Sequence, residues 1–335
     1  MMGRQLPCSL SGVLTLVLTA AILATFLSRL PPWFTSCTPD CLDMYMKGAA
    51  NLFSPAMLAF LRDKFLEPPP PDPDRSGFDI DRPSWRHLLE WHKLQQNLKD
   101  LWKDQSPGVF VEVGAVDGEF MSQTLMLEKN LSWTGLLIEP DPRSYSVLQQ
   151  RRRNAWTSPV CIRLGPTSAR KLWMRDLRAD LPQEMQGLVM ARSKLDDETI
   201  TGDMLQGRTT FVPCVRLSQL LLRANMTRAD LLTIATGTPK DHLKIRDVTS
   251  DRQTFDVKTL LVQYPRSHLL QEPYPEIPGY ILDMDRSVLL VRLFWRKADC
   301  RLLQEDTCRR TKPYDLMEAC KKYLCNDFAT VWTYK

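Results

Sequence analysis

Histidine is scarce in this chain, with four in 335 residues. His87 and His92 are five apart, which puts them on different faces of a helix and excludes them as a metal pair. Basic residues form one compact run, Arg151-Arg152-Arg153, with no aromatics interleaved, and that excludes a nucleic-acid surface. The net charge of +5 is mild. Residues 165–208 are polar, poor in glycine and weakly patterned, so no helix or strand is assigned there. Long charge-free runs are missing too, except one at residues 10–27. What remains is 44% apolar and 25% charged, the balance of a globular body, and the length leaves room for one large domain with attachments.

The most informative stretch is residues 109–140. Residues 109–113 are a short apolar run rich in β-branched side chains, which suits a buried parallel strand. Gly114 breaks it, and Asp117-Gly118 closes a tight loop. Residues 121–129 have helical apolar spacing. A second strand at 136–138 ends at Glu139-Pro140. In dinucleotide-type folds an acid about 20 residues past the glycines accepts hydrogen bonds from ribose hydroxyls, and Glu139 has that spacing from Gly118. Gly114 would let the backbone approach a ligand, and Glu112 would bind it from the strand tip. Val116 occupies the slot of the middle glycine of a three-glycine fingerprint, so the loop by itself is equally consistent with an ordinary βαβ turn.

Residues 10–27 are 18 residues without a charge. At 1.5 Å per residue they reach about 27 Å, enough to cross the hydrocarbon layer. A cleavable signal peptide is the competing reading, but no small-x-small site follows before Pro31-Pro32, and an uncleaved anchor is the expectation. Arg4 and the amino terminus precede the span and Arg29 follows it, which favours a cytosolic amino terminus only weakly. Of nine cysteines, Cys8 precedes the span and eight follow, as expected for disulfides in an oxidising lumen. The sequons at Asn130-Leu131-Ser132 and Asn225-Met226-Thr227 also follow it. The expectation is a single-pass type II membrane protein with a lumenal or extracellular, glycosylated body.

Taken in order, residues 1–9 are a cytosolic tail, 10–30 the transmembrane anchor and 31–77 a lumenal stem. Cys37 and Cys41 are close enough to pair, though either could reach the body. Ser54-Pro55 opens a helix that ends before the proline run at 68–71, a stiff spacer. Residues 78–106 hold an accessory helix at 85–102, with Leu88, Trp91, Leu94, Leu98 and Leu101 on one face, expected to pack on the body's edge. The body spans 107–295. After the opening unit come a helix at 143–153, a third strand at 160–162, a mobile loop or lid at 193–207, a strand at 210–217 and a helix at 218–224. Buried strands at 231–235 and 259–262 follow, then a hairpin of 280–284 and 288–294 turning at Asp285-Arg286. Alternating strands and helices with a late hairpin indicate a three-layer α/β fold. Cys161 and Cys214, each on an expected strand, are expected to bridge. Residues 296–335 are a tail with Cys300, Cys308, Cys320 and Cys325. Their spacings of eight, twelve and five are not those of a zinc site, which points to disulfides of open connectivity.

The segments VEVGAVDGEFMSQTLMLE and WTGLLIEPDP, with Tyr145 and Arg153-Asn154-Ala155-Trp156, resemble the FkbM family of S-adenosylmethionine-dependent methyltransferases. The similarity is closest to its animal, membrane-anchored, Star-like branch. It runs from about 58 to 293 and is densest over 109–156. Matching positions include Ser122, Thr124, Glu128, Trp133, Gly135 and Pro140. The resemblance implies a Rossmann-like methyltransferase fold in which Glu112, Gly114, Asp117, Gly118 and Glu139 hold S-adenosylmethionine. It also marks a departure. Where the family carries Asp-x-Glu-Gly-x-Glu, this chain has Ala235, Gly237 and Lys240. Where the family ends a strand Val-Glu-Tyr, this chain has Gln263. The acids expected at strand carboxyl ends are therefore missing, and with them the base or metal support that methyl transfer to oxygen needs. No catalytic residue and no metal ligand is assigned, and cofactor binding is left open. Two functions follow. One is a non-catalytic, Star-like escort of membrane cargo, such as growth-factor precursors, between endoplasmic reticulum, Golgi, endosome and plasma membrane. It would bind the membrane and the lumenal domains of its cargo. The other is a working O-methyltransferase on a small molecule or glycan.

Overall fold

The computed structural model describes residues 55–73, 89–104, 107–162, 169–177, 180–181, 183–195, 207–234, 255–263, 277–288 and 291–296. Its elements open with α1 (Pro55–Phe65), α2 (Leu89–Trp102), β1 (Val109–Val113), α3 (Leu125–Leu131), β2 (Thr134–Ile138), α4 (Pro142–Gln150) and β3 (Ala155–Ser158). Next come β4 (Cys161–Ile162), β5 (Ala169–Met174), α5 (Gln183–Met190), β6 (Lys194–Leu195) and β7 (Arg208–Val215). The last are α6 (Leu217–Arg223), β8 (Arg228–Ile234), β9 (Asp256–Gln263), β10 (Tyr280–Val288) and β11 (Val291–Arg296).

The main sheet has seven strands in the order β10-β11-β9-β8-β1-β2-β3. The five from β9 to β3 are parallel. The chain then closes with an antiparallel hairpin, β11 on β9 and β10 on β11. The strands alternate between two apolar faces, as a period of two requires. Val111, Leu136, Leu232 and Leu260 face α1 and α6. Phe110, Leu137, Leu231 and Leu261 face α2, α3 and α4. Each such fully buried side chain is worth about 1.5–3 kcal/mol of transfer free energy. Gly135 is required on β2, because a Cβ there would lie 2.1 Å from the Phe110 carbonyl oxygen and 2.4 Å from its ring.

The helix at 89–102 packs against the edge strand β10 and against α3. Trp91, Leu94, Leu98 and Trp102 are buried over one sheet face, and Trp102 meets Trp133 edge-on at 5.1 Å. The helix assigned to the stem is likewise part of the body, because Leu61 and Leu66 enter the opposite core with α6. Glu67 then pairs with Thr157 on β3, through reciprocal backbone hydrogen bonds of 3.0 Å, which covers that sheet edge.

The third strand of the main sheet is residues 155–158, not 160–162. Pro159 has no N–H to continue the ladder, and the chain crosses into a second sheet of order β4-β7-β5-β6. That sheet occupies part of the stretch where the sequence shows no pattern. Only one face of β5 is buried, by Leu172 and Met174. The strand expected at 210–217 is β7 of this sheet. The helix expected from 121 begins only at Leu125, since Met121 has φ 52 and residues 122–124 serve Glu112. The hairpin does not turn at 285–286. β10 runs on to Val288 through a register shift after Asp283, where Ser287 Oγ donates to the Asp283 carbonyl and accepts from the Leu293 N–H at 3.1 Å. The expected anchor, the rest of the stem, the tail cysteines and residues 196–206 of the expected lid lie outside the described residues. Among the described residues no helix is long and apolar enough to cross a membrane.

Candidate functional site

β1 ends in a loop held in unusual backbone geometry. Gly114, Val116, Gly118 and Met121 all have positive φ, at 86, 51, 78 and 52°. A β-branched residue in that region is a true outlier, and it stands in the slot where the fingerprint has its middle glycine. The loop is fastened to the tip of β2, because the N–H groups of Gly114 and Ala115 both donate to the Ile138 carbonyl, at 2.9 and 3.1 Å. The strained turn aims the Val116 N–H at Glu139 Oε2, 2.8 Å away.

Glu139 follows β2 directly. Its other oxygen accepts the Asp141 N–H at 2.8 Å. The side chain is buried, and burial above all, with the nearby charges of Asp141 and Asp117, pushes its pKa from 4.5 up to about 8. Asp141 caps α4 by accepting from the Arg143 N–H at 2.9 Å and also takes the Ser193 hydroxyl at 2.6 Å.

Glu112 has its carboxylate engaged by the loop. Only 1% exposed, its carboxylate accepts from Ser122 Oγ at 2.8 Å, the Gln123 N–H at 3.0 Å and Thr124 Oγ1. Burial raises its pKa, and the Arg153 guanidinium opposes that rise. Arg153 is itself buried. It donates to Glu128 at 2.6 Å, to the Gly118 carbonyl, and to Ser122 and Thr124. Asp117 stabilises the loop from within, accepting the N–H groups of Glu119 at 3.0 Å and Phe120 at 2.7 Å. Gly118 packs against Leu148.

A cavity of about 160 Å³ lies outside the carboxyl ends of the parallel strands, where ligands bind in open α/β sheets. Gly114, Val116, Glu139 and Pro140 form its main-sheet side, and Gln263 reaches it from the end of β9. Val160, Cys161, Leu172, Leu188 and Leu195 form the opposite side, with Arg192 and Ser193 beside them. Of the five residues assigned to the cofactor, Gly114 and Glu139 line the cavity, whereas Glu112, Asp117 and Gly118 brace the loop behind it. The second-sheet wall was missed from sequence, where only scattered apolar residues among polar ones signalled it.

Gln263 is the one described position among those where the sequence lacks an expected acid, and Ala235, Gly237 and Lys240 lie outside the described residues. Glu139 is the single carboxylate among the described residues lining the cavity. Cys161 and Cys214 are in register on β4 and β7 and are bridged, with Cα atoms 4.4 Å apart. Asn130 and Asn225 are both exposed. A scan of the chain against models of known protein families finds no match, and neither does a search of curated proteins.

Proposed function

We propose that this chain is a Star-like, membrane-anchored member of the FkbM-type methyltransferase fold that binds membrane cargo in the secretory pathway and transfers no methyl group. The body keeps the cofactor half of such a site and lacks its acceptor half. The observation that carries this reading is the composition of the cavity wall. Glu139 presents a carboxyl at the tip of the second parallel strand, and the described residues around it offer no second carboxylate to take an acceptor's proton. At the tip of β9 stands Gln263, an amide with no base function. The strand order gives further support. Its β3-β2-β1-β8-β9 run is the doubly wound 3-2-1-4-5 arrangement, and the closing antiparallel hairpin fits the methyltransferase fold implied by the resemblance. Glu139 would hold the ribose hydroxyls of an adenosine-type ligand, and the apolar wall suits a flat base. S-adenosylmethionine, when bound, supplies a sulfonium methyl group.

Calorimetric titration of the full-length chain in detergent, with S-adenosylmethionine and with adenosine, tests the site. Glu139→Ala is expected to weaken either ligand by about 1–3 kcal/mol, the cost of leaving a buried hydrogen-bonding partner unsatisfied. Cargo export is expected to survive Glu139→Ala and to fail when the lumenal body is deleted. Export or product methylation abolished by Glu139→Ala in a normally folded protein would overturn the proposal. One observation favours that second reading, a working O-methyltransferase on a small molecule or glycan: a carboxyl whose pKa lies near 8 has the proton affinity of a general base at neutral pH. Incubation with methyl-labelled S-adenosylmethionine and secretory-pathway extract separates the two, because only the enzyme transfers label.

A further inference from the structure

The second sheet is fastened to the rest of the molecule in two unlike ways. At its β4 edge the chain runs on from β3 through Val160, and the Cys161–Cys214 bridge joins β4 to β7. At its β6 edge the fastening among the described residues is made by side chains. Arg143 Nη1 donates to the Arg175 carbonyl at 2.6 Å, just past the end of β5. Ser193 Oγ, just before β6, donates to Asp141 at 2.6 Å, and Arg143 Nη2 reaches the same hydroxyl at 3.4 Å. Arg143 is in turn held by Asp141, through Nε at 3.1 Å and Nη2 at 2.7 Å. Asp141 is wholly buried, and its N–H holds Glu139. One residue thus receives the fastening and positions the acid of the site.

The cavity behind this fastening, about 160 Å³, is smaller than the roughly 300–1,000 Å³ of small-molecule sites. A nucleoside-sized ligand is larger than this space, and movement of a wall would make room for it. The wall able to move is the one held by side-chain contacts, these hydrogen bonds and the packing of Gly187 on Phe120, since the other edge is covalent. We propose that Arg143 and Ser193 are positioning residues that latch the β5–α5–β6 edge of the second sheet closed over Glu139, and that ligand enters when this latch opens about the β4–β7 side. The proposal rests on the reading above only for what the cavity binds.

Amide hydrogen exchange on the full-length chain, without ligand, reads the latch directly. Arg143→Ala and Ser193→Ala each remove a short polar contact, and exchange over residues 186–195 is expected to quicken by at least about tenfold. Exchange over 109–113 and 134–138 is expected to stay as in the wild type. Ser193→Thr keeps the hydroxyl and is expected to restore the wild-type rate. Gln149→Ala breaks a contact of the same helix with Glu67, remote from the cavity, and is expected to leave 186–195 unchanged. Unchanged exchange in both latch variants overturns the proposal, and so does a quickening spread equally over 109–113 and 134–138, which marks general destabilisation. Added adenosine separates this inference from its premise. If it leaves wild-type exchange over 186–195 unaltered, the ligand reading fails, while the latch still stands or falls on the ligand-free rates.

Discussion

Two buried acids divide the work at the site, and their surroundings decide which does what. Glu112 has hydroxyl and amide donors on its carboxylate and a guanidinium close by, so it organises the loop. The pKa of Glu139 is pushed up to about 8 by burial above all and by two like charges near it, against the pull of its backbone N–H donors. For an acid with a raised folded pKa, the stabilising contribution is complete below the unfolded value of 4.5 and is lost as pH rises through the folded value of about 8. Glu139→Gln is therefore expected to flatten the fall in stability between those limits, read as denaturant midpoints across a pH series. Arg153 is the counterpart cation. Arg153→Met would leave Glu128 and Glu112 buried without their partner, and is expected to cost about 3–5 kcal/mol in urea denaturation. A loss under about 1 kcal/mol would show that the network is not a buried ion pair in solution.

At the scale of elements, the loop between β1 and α3 is held by its neighbours as well as by its own residues. Gly118 shows this, because its φ of 78° and the 2.4 Å from an added Cβ to Leu148 both exclude a side chain. Gly118→Ala is expected to destabilise the chain by about 1–3 kcal/mol, measurable as a lowered denaturant midpoint. β4 and β7 pair over two residues only, and the bridge reinforces that short pairing. It closes a loop with a sequence separation of 53. On the chain-entropy model, the Cys161→Ser, Cys214→Ser double variant is expected to lose about 4 kcal/mol, less any strain released. Equal midpoints for the variant and the wild type would show that the bridge does not form in solution.

For the whole molecule, the integration of α1 and of residues 65–73 into the body shortens the tether between fold and expected anchor. The body's described core begins at Leu58 and ends at Trp295, close to the limits of the family resemblance. Its exposed Asn130 and Asn225 make topology testable. Endoglycosidase is expected to shift the protein's mobility, and alkaline wash is expected to leave the intact chain in the membrane. An unglycosylated protein released by the wash would remove the anchor and the lumenal orientation together.

Some of this was decided within short stretches of chain. The run from 109 to 140 carries its own strand, turn and acid signals because parallel strands buried on both faces must be continuously apolar, and the loop between them must tolerate positive φ. The place of Glu139 at the strand tip was legible that way, as was the pairing of two strand cysteines. The remainder depended on residues far apart in sequence. Sequence spacing puts Glu112 at a strand tip, but nothing near it reveals that Arg153 arrives behind the loop and that Ser122 and Thr124 turn inward to it. The cavity's second wall comes from β5, α5 and β6, whose sparse apolar residues become a surface only when the disulfide and the Asp141–Ser193 contact bring them to the strand ends. Local spacing determined which strands form and where the acid stands. Tertiary packing alone decided which side chains reach the cavity, because that depends on contacts between segments that sequence spacing does not relate.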